Sequence, residues 1–358
     1  MTVPMIAGKS HAKPNIPTST QAKLRYDVLA LWGGVIFSFL FTGVIWLAGD
    51  RLQAFPKLPD QGPAWYFWKL AEPTLMTRLS VWGFYLAHQF AVFGLIWYAQ
   101  RRVKKYSTGL HLVNVIALGV NAFFIALHFA QTHIWYDGLA QDVSIFSSQG
   151  SVIVMLVWIM LMENNRRGVI MGKKLPIGKR VITFARKYHG YYFAWAIIYT
   201  FWYHPMEHTP GHLMGFLYTF LLLLQGSLFM TRIHVNKWWM FVQEIVVLAH
   251  GTIVAILQGN NMWPMFFFGF AGVFVITQMH GLGLSRRIKW GLLLSYVVGA
   301  FVVYAGRGWN RAWELTAIPL VDYLAVVILA LLIAVGIWVY DRVRTRFTPG
   351  LSATERKA

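Results

Sequence analysis

The sequence predicts an all-α fold: a polytopic integral membrane helix bundle of about ten transmembrane helices with both termini cytoplasmic. Three observations lead there. The chain of 358 residues is 57% hydrophobic and only 13% charged, with a mean hydropathy of +0.50, too apolar for a water-soluble domain of this length. Its apolar residues gather into runs of roughly 20, the length an α-helix needs to cross about 30 Å of hydrocarbon. Its charge is also lopsided. When the runs are threaded back and forth, 26 of the 32 lysines and arginines fall on one side, and the cation-rich side of a membrane protein is the cytoplasmic one.

The ten runs are Val28–Ala48, Leu79–Ala99, Leu110–Ile134, Phe146–Leu161, Tyr188–Tyr203, Leu213–Met230, Trp238–Leu257, Met265–Leu282, Trp290–Ala305 and Leu320–Tyr340. None shows the strict alternation of a barrel strand, so helices are the remaining way to satisfy backbone groups in hydrocarbon. The first run follows 27 polar residues without the apolar core of a cleavable leader, and it serves as an uncleaved insertion signal. Residues 1–27 read as a disordered cytoplasmic tail, 28–340 as the transmembrane domain and 341–358 as a second cytoplasmic tail. Gly49–Arg78 carries Trp65, Tyr66, Phe67 and Trp68, which suits a short helix lying at the headgroup level. The inner segment Glu163–Lys187 holds eight cations, which attract anionic lipids and, as a second option, a protein partner. The net charge of +19 is thereby mainly topology, and no nucleic-acid partner is expected. The expected location is integral and multi-pass, in a bacterial inner (cytoplasmic) membrane.

The chemistry is narrowed first by an absence. Zero cysteines exclude disulfides, cysteine-ligated iron–sulfur clusters, c-type haem attachment and thiol catalysis. Twelve histidines remain, and imidazole is costly in a bilayer unless something binds it. By depth all but His11, in the N-terminal tail, fall in two tiers: an outer one of His128, His133, His204, His208 and His212, joined by His88 and His250 from nearer the middle. An inner tier holds His111, His189, His234 and His280. The segment His204–His212 is densest: three histidines and Glu207 supply donors for iron, zinc or copper. Pro205, Pro210 and Gly211 argue against a continuous helix there, so the segment is expected to be a turn between the fifth and sixth runs. His128 and His133 reach a similar depth, so the metal candidates are His128, His133, His204, His208 and His212.

Asn114, Asn121 and His128 recur every seven residues and make one polar seam on the third run. Gln243 and His250 share a face of the seventh. Glu244, read as the only acidic residue well inside an apolar run, must be protonated or paired at that depth. Gln89, Gln225 and Gln278 read as interhelical hydrogen-bonding groups.

His189 and His204 lie fifteen residues apart on one run, about 22 Å along a helix. This resembles the arrangement in membrane b-type cytochromes, where one helix offers a histidine to each of two stacked haems and a second helix supplies the partners. The likeness covers one span and two residues. It implies haem b, with His111 and His128 as the nearest partner candidates, though on different faces of their helix; His250 completes the candidate set. Histidine boxes of di-iron desaturases are not matched.

Three functional expectations follow. The first is a membrane redox protein with a histidine-ligated haem b or a non-haem metal near the outer face, acting on a quinone or another lipid-soluble substrate. The second is a proton-coupled transporter or channel using buried histidine, Glu244 and asparagine groups. The third is a membrane-embedded transferase or assembly subunit with Glu207 or a histidine as general base. No nucleotide-binding glycine loop points to ATP-driven work.

Overall fold

The computed structural model describes residues 25–59, 61–62, 66, 68–259 and 261–347. Most of the expected N-terminal tail, most of the C-terminal tail, and Trp65 and Phe67 of the expected interfacial helix lie outside the described residues.

Among the described residues there are ten α-helices and no strand. They are α1 Tyr26–Ala48, α2 Leu75–Arg102, α3 Leu112–Trp135, α4 Ile145–Arg167, α5 Lys179–Tyr203, α6 Pro210–Ser227, α7 Lys237–Leu257, α8 Trp263–Ile276, α9 Arg286–Arg307 and α10 Glu314–Phe347. Each apolar run falls on one of them. Several starts carry side-chain caps: Thr74, Ser144, Thr209, Asn236 and Ser285 each accept from a backbone N–H of the first turn, satisfying donors that the helix leaves orphaned. Pro210 occupies the first turn of α6, where its missing N–H costs nothing.

Helices and apolar runs differ most at α4, α5 and α10. The short fourth run is completed by polar residues through Arg167, and the fifth begins nine residues early at Lys179. Lys, Arg and Glu are good helix formers that hydropathy does not see. The segment Glu163–Lys187 is therefore two helix ends around a short link, and part of its charge is already neutralised. Arg166 pairs with Glu163, Arg167 with Glu244 and Arg180 with Asp341. Because α10 starts at Glu314, Asp322 sits two turns inside a helix and is buried, a second intrahelical acid beside Glu244. Gly49–Ala54 is a 3-10 turn, and the Tyr66 ring is buried.

Eight helices are long and apolar enough to cross a membrane; α5 and α6 are not among them. Yet α5 and α6 carry much of the interior. Phe201, Trp202 and Tyr203 are completely buried, and Phe216 and Phe220 join them in the largest apolar cluster. The succession α4, α5, α6, α7, α8, α10 and back to α4 closes a ring of packed neighbours. Helices α1, α2 and α3 flank α5 and α6, and α9 leans on α8.

The links gather at two ends. At the basic end, Ser107 pairs with the Met230–Arg232 strip, Met171 with Ile276, and Lys237 with Leu282. At the opposite end, Lys57 meets Glu207, Trp82 meets Asp142 and Arg307 meets Asn261.

Candidate functional site

At the end opposite the basic one, Pro205 stops α5, and a link of six residues leads to α6. The structure does not gather this link's donors around one point. Glu207 is buried, and its Oε1 accepts from Lys57 Nζ at 2.5 Å and from Tyr136 Oη at 2.5 Å. His208 turns outward, its Nε2 3.4 Å from Asp50 and its Nδ1 3.7 Å from Glu207. His212 belongs to α6; its Nδ1 bonds Thr209 Oγ1 at 2.7 Å and its Nε2 bonds Tyr66 Oη at 3.0 Å. The His204 ring lies 5.4 Å from that of His212 and 4.7 Å from that of Tyr66, and its Nδ1 is buried without a partner.

Burial, reinforced by the neighbouring His212 and His250, pushes the His204 imidazole down, so it stays neutral. Burial likewise raises the Tyr66 and Tyr136 phenols, with Glu207 adding to both, so each keeps its proton.

His128 does not face His204 ring to ring. Its Nε2–H donates to the backbone carbonyl of His204 at 2.9 Å, and its Nδ1 meets Gln131 at 3.1 Å. His133 Nδ1 donates to Phe129 O at 2.8 Å, one turn back on its own helix. Among the described residues, no three His, Asp or Glu side chains are placed to share a metal ion.

The polar seam of α3 exists and is fully engaged. His88 Nε2 meets Asn121 Oδ1 at 2.8 Å while its Nδ1 accepts from Trp202 Nε1 at 3.2 Å. Asn121 donates to Ser227 Oγ at 2.7 Å, and Asn114 donates to the carbonyls of Ser227 and Phe229, each at 2.8 Å. These bonds tie α2, α3, α5 and α6 together at successive depths.

At the basic end two histidines from different elements come close to each other. His189 on α5 and His234 in the α6–α7 link have ring centres 6.4 Å apart. His189 Nδ1–H donates to Arg186 O at 2.7 Å, and His234 Nδ1–H donates to Gln225 O at 2.9 Å. Each Nε2 is thereby left as the lone-pair nitrogen, the orientation that metal-ligating histidines take from a backbone carbonyl. Gln225 is itself fixed, donating to His234 O at 3.0 Å and accepting from Trp239 Nε1 at 2.7 Å. Burial, with His189 second, lowers the His234 pKa to about 4, so the imidazole is neutral and able to ligate at pH 7.

The remaining candidates are scattered. His111 precedes α3 at the basic end, where its N–H donates to Asn114 Oδ1 at 3.0 Å and its Nε2 is buried without a partner. His250 on α7 rests against α6, where a Cβ at Gly215 would come 3.3 Å from its Nε2. Glu244 is paired, accepting from Arg167 Nη1 at 2.7 Å, with both side chains almost fully buried.

His234 is the residue that sequence reasoning placed in a tier without giving it a role. The signal was available in the spacing: His234 and His250 are sixteen residues apart, close to the fifteen between His189 and His204. No protein family, curated protein or solved structure matches this chain.

Proposed function

We propose that this chain is a membrane-embedded redox protein that holds haem b between α5 and the α6–α7 link, with His189 and His234 as axial ligands. One observation carries the reading: two imidazoles lie with ring centres 6.4 Å apart, each with Nδ1 tied to a backbone carbonyl. His189 and His234 would hold the iron through Nε2, and the carbonyls of Arg186 and Gln225 would fix both rings in that orientation. His204, with His212 or His250 beside it, offers a second position at the other end of α5. Haem, when bound, supplies one-electron chemistry; the chain supplies ligand orientation and a dry, apolar surround.

A non-haem centre on the His204–His212 segment has less support, because Glu207 is held by Lys57 and Tyr136 and His208 turns to Asp50. The same clamp weighs against Glu207 as a general base. The fully paired seam of α3 serves better as interhelical glue than as a proton relay.

The membrane reading rests on the ten helices, the sorting of their links to two ends and the basic asymmetry. It also rests on large apolar side chains left exposed along α1, α9 and α10, such as Trp32, Leu40, Phe301, Val302 and Leu332, which suit hydrocarbon. All ten helices cross, placing both termini in the cytoplasm.

The test is a visible spectrum of the purified protein with a haem assay. A Soret band and a reducible α-band are expected, with haem lost or its axial ligation changed in His189→Ala and His234→Ala and retained in His111→Ala. A colourless wild-type protein, or full low-spin haem in both variants, would overturn the reading.

A further inference from the structure

Asp322, two turns inside α10, is 3% exposed, and its Oδ2 is buried without a hydrogen-bond partner. Glu207, Glu244 and Glu314 are also almost fully buried, and each is met by a lysine or an arginine. Of these four acids, Asp322 is the one without an ion-pair partner among the described residues. The burial follows from helical spacing. Pro319, Asp322, Val326, Ala330 and Ile333 fall on one face of α10. Val326, Ala330 and Ile333 pack with Val157 and Leu161 of α4 and Val273 of α8. Pro319 lies against Gly272 of α8, where a Cβ would come 3.3 Å from its Cγ. An aspartate in that face is carried into an apolar contact.

The groups that could fix its charge are absent or engaged. On α8, Trp263–Ile276 contains no titratable side chain. On α4, Arg166 is held by Glu163 and Arg167 by Glu244. On α5, Arg180 is paired with Asp341, Arg186 donates to Met162 O, and Lys179 and Lys187 are exposed. On α9, Arg307 belongs to Glu314, and the neutral Tyr296 hydroxyl reaches the same Gly272 as Pro319. Beside Asp322 on α10, Tyr323 bonds Thr277 Oγ1 at 2.8 Å, and Thr277 donates on to Val169 O in the α4–α5 link. These hydroxyls make a chain from the neighbourhood of Asp322 to the basic end.

We propose that Asp322 is a proton-binding site within the bilayer, resting as the neutral acid and exchanging its proton with water. An isolated carboxylate in hydrocarbon is expensive, so the acid holds its proton until a path takes it away. A metal cation is a poorer occupant, because it needs several oxygen donors at once, and the face around Asp322 is built from Pro319, Val326 and the apolar side of α8. Pro319 also lacks the N–H that would bond Leu315 O, which loosens the helix one turn from the acid. Acids so placed serve as proton relays in membrane proteins. The site stands whether or not haem is bound.

The test uses the full chain in lipid nanodiscs near neutral pH. Infrared difference spectra between the native chain and Asp322→Asn read the C=O stretch of a protonated carboxylic acid directly. A band lost in the variant is expected, and it should shift to lower frequency when the native chain is moved into D2O. Dicyclohexylcarbodiimide is apolar and reacts with carboxyl groups in their protonated form. It should label Asp322 and leave Glu244, held by Arg167, unlabelled, with mass spectrometry mapping the adduct. Asparagine keeps the shape of aspartate, so the variant should fold, and thermal melting checks this. Asp322→Leu, apolar and of similar size, replaces it if it does not. The absence of such a band, a band that does not move in D2O, or a carbodiimide adduct on Glu244 and not on Asp322 would overturn the proposal.

Discussion

Arg167 and Glu244 face each other at 2.7 Å with almost no exposure to solvent. Removing one member of a buried pair strands the other charge, at a cost of about 3–5 kcal/mol. Glu244→Gln should therefore lower the melting temperature of the purified protein sharply, and Glu244→Lys more so. The double change Glu244→Gln with Arg167→Met should recover most of the loss. A double variant no more stable than Glu244→Gln would show that the pair does not act as a unit. A second residue-level prediction concerns His234. Its pKa is about 4 in the fold against about 6.5 for a free imidazole, so protons bind the unfolded chain first as pH falls. The fold should be at full strength above pH 6.5 and should lose this contribution progressively towards pH 4. His234→Gln should flatten that part of the stability profile. At this scale the sequence was readable where depth alone sufficed: Glu244 had to be neutral or paired, and the seven-residue seam of α3 had to find partners. It was not readable where pairing depends on a second element. Nothing in the order of residues brings Arg167 to Glu244, or Tyr66 to His212, across gaps of 77 and 146 positions.

Helix against helix, the closest approach of α8 to α10 is set by Gly269. A Cβ there would meet Ile318 Cβ at 2.8 Å and Cδ1 at 2.7 Å. Gly269→Ala should therefore cost about 1–3 kcal/mol by overpacking. Gly291 on α9 has nothing within 4 Å of such a Cβ, and Gly291→Ala should be neutral or slightly stabilising. Thermal melting of the two variants checks the contrast, and equal losses would remove Gly269 as the contact that sets α8 on α10. The helices themselves were legible because hydrocarbon demands long apolar runs, and all ten appear. Their polar extensions were not, since the last turns of α4 and the first turns of α5 are written in Arg, Lys, Glu and Asn. That is why Glu163–Lys187 looked like a loop. The break between α5 and α6 was read correctly at His204–Thr209, but Pro210, Gly211 and His212 open α6 instead of extending the turn, and the expected gathering of donors does not occur, because Lys57 and Tyr136 from other segments claim Glu207.

For the molecule as a whole, the two ends of the bundle translate into a labelling experiment. The native chain has no cysteine. A single cysteine at Ser107, by the basic end, should react from the cytoplasm, and one at Ser147, at the opposite end beside Tyr199, should react from outside. Reversal of either removes the topology. The all-helical class and helices apolar enough to span a membrane were legible at this scale, since both follow from the apolar runs; the closed ring of α4 to α8 with α10 was not, since it depends on which helices pack. That ring bears on biogenesis. The pair at its heart, α5 and α6, is the least suited to lipid, with Lys179, Arg180, Arg186 and Lys187 in α5 alone. Such segments partition poorly from the translocon as isolated units. Several of their hydrogen-bonding partners, such as His88, Asn114 and Asn121, precede them in the chain, so they emerge onto a surface partly made, while Asp341, His234 and Trp239 follow. Synthesis thus supplies a template before it supplies the guest. A reporter fused after α5 alone should fail to insert, and insertion should be restored when α1–α4 precede it; efficient insertion of α5 by itself would refute this order of assembly.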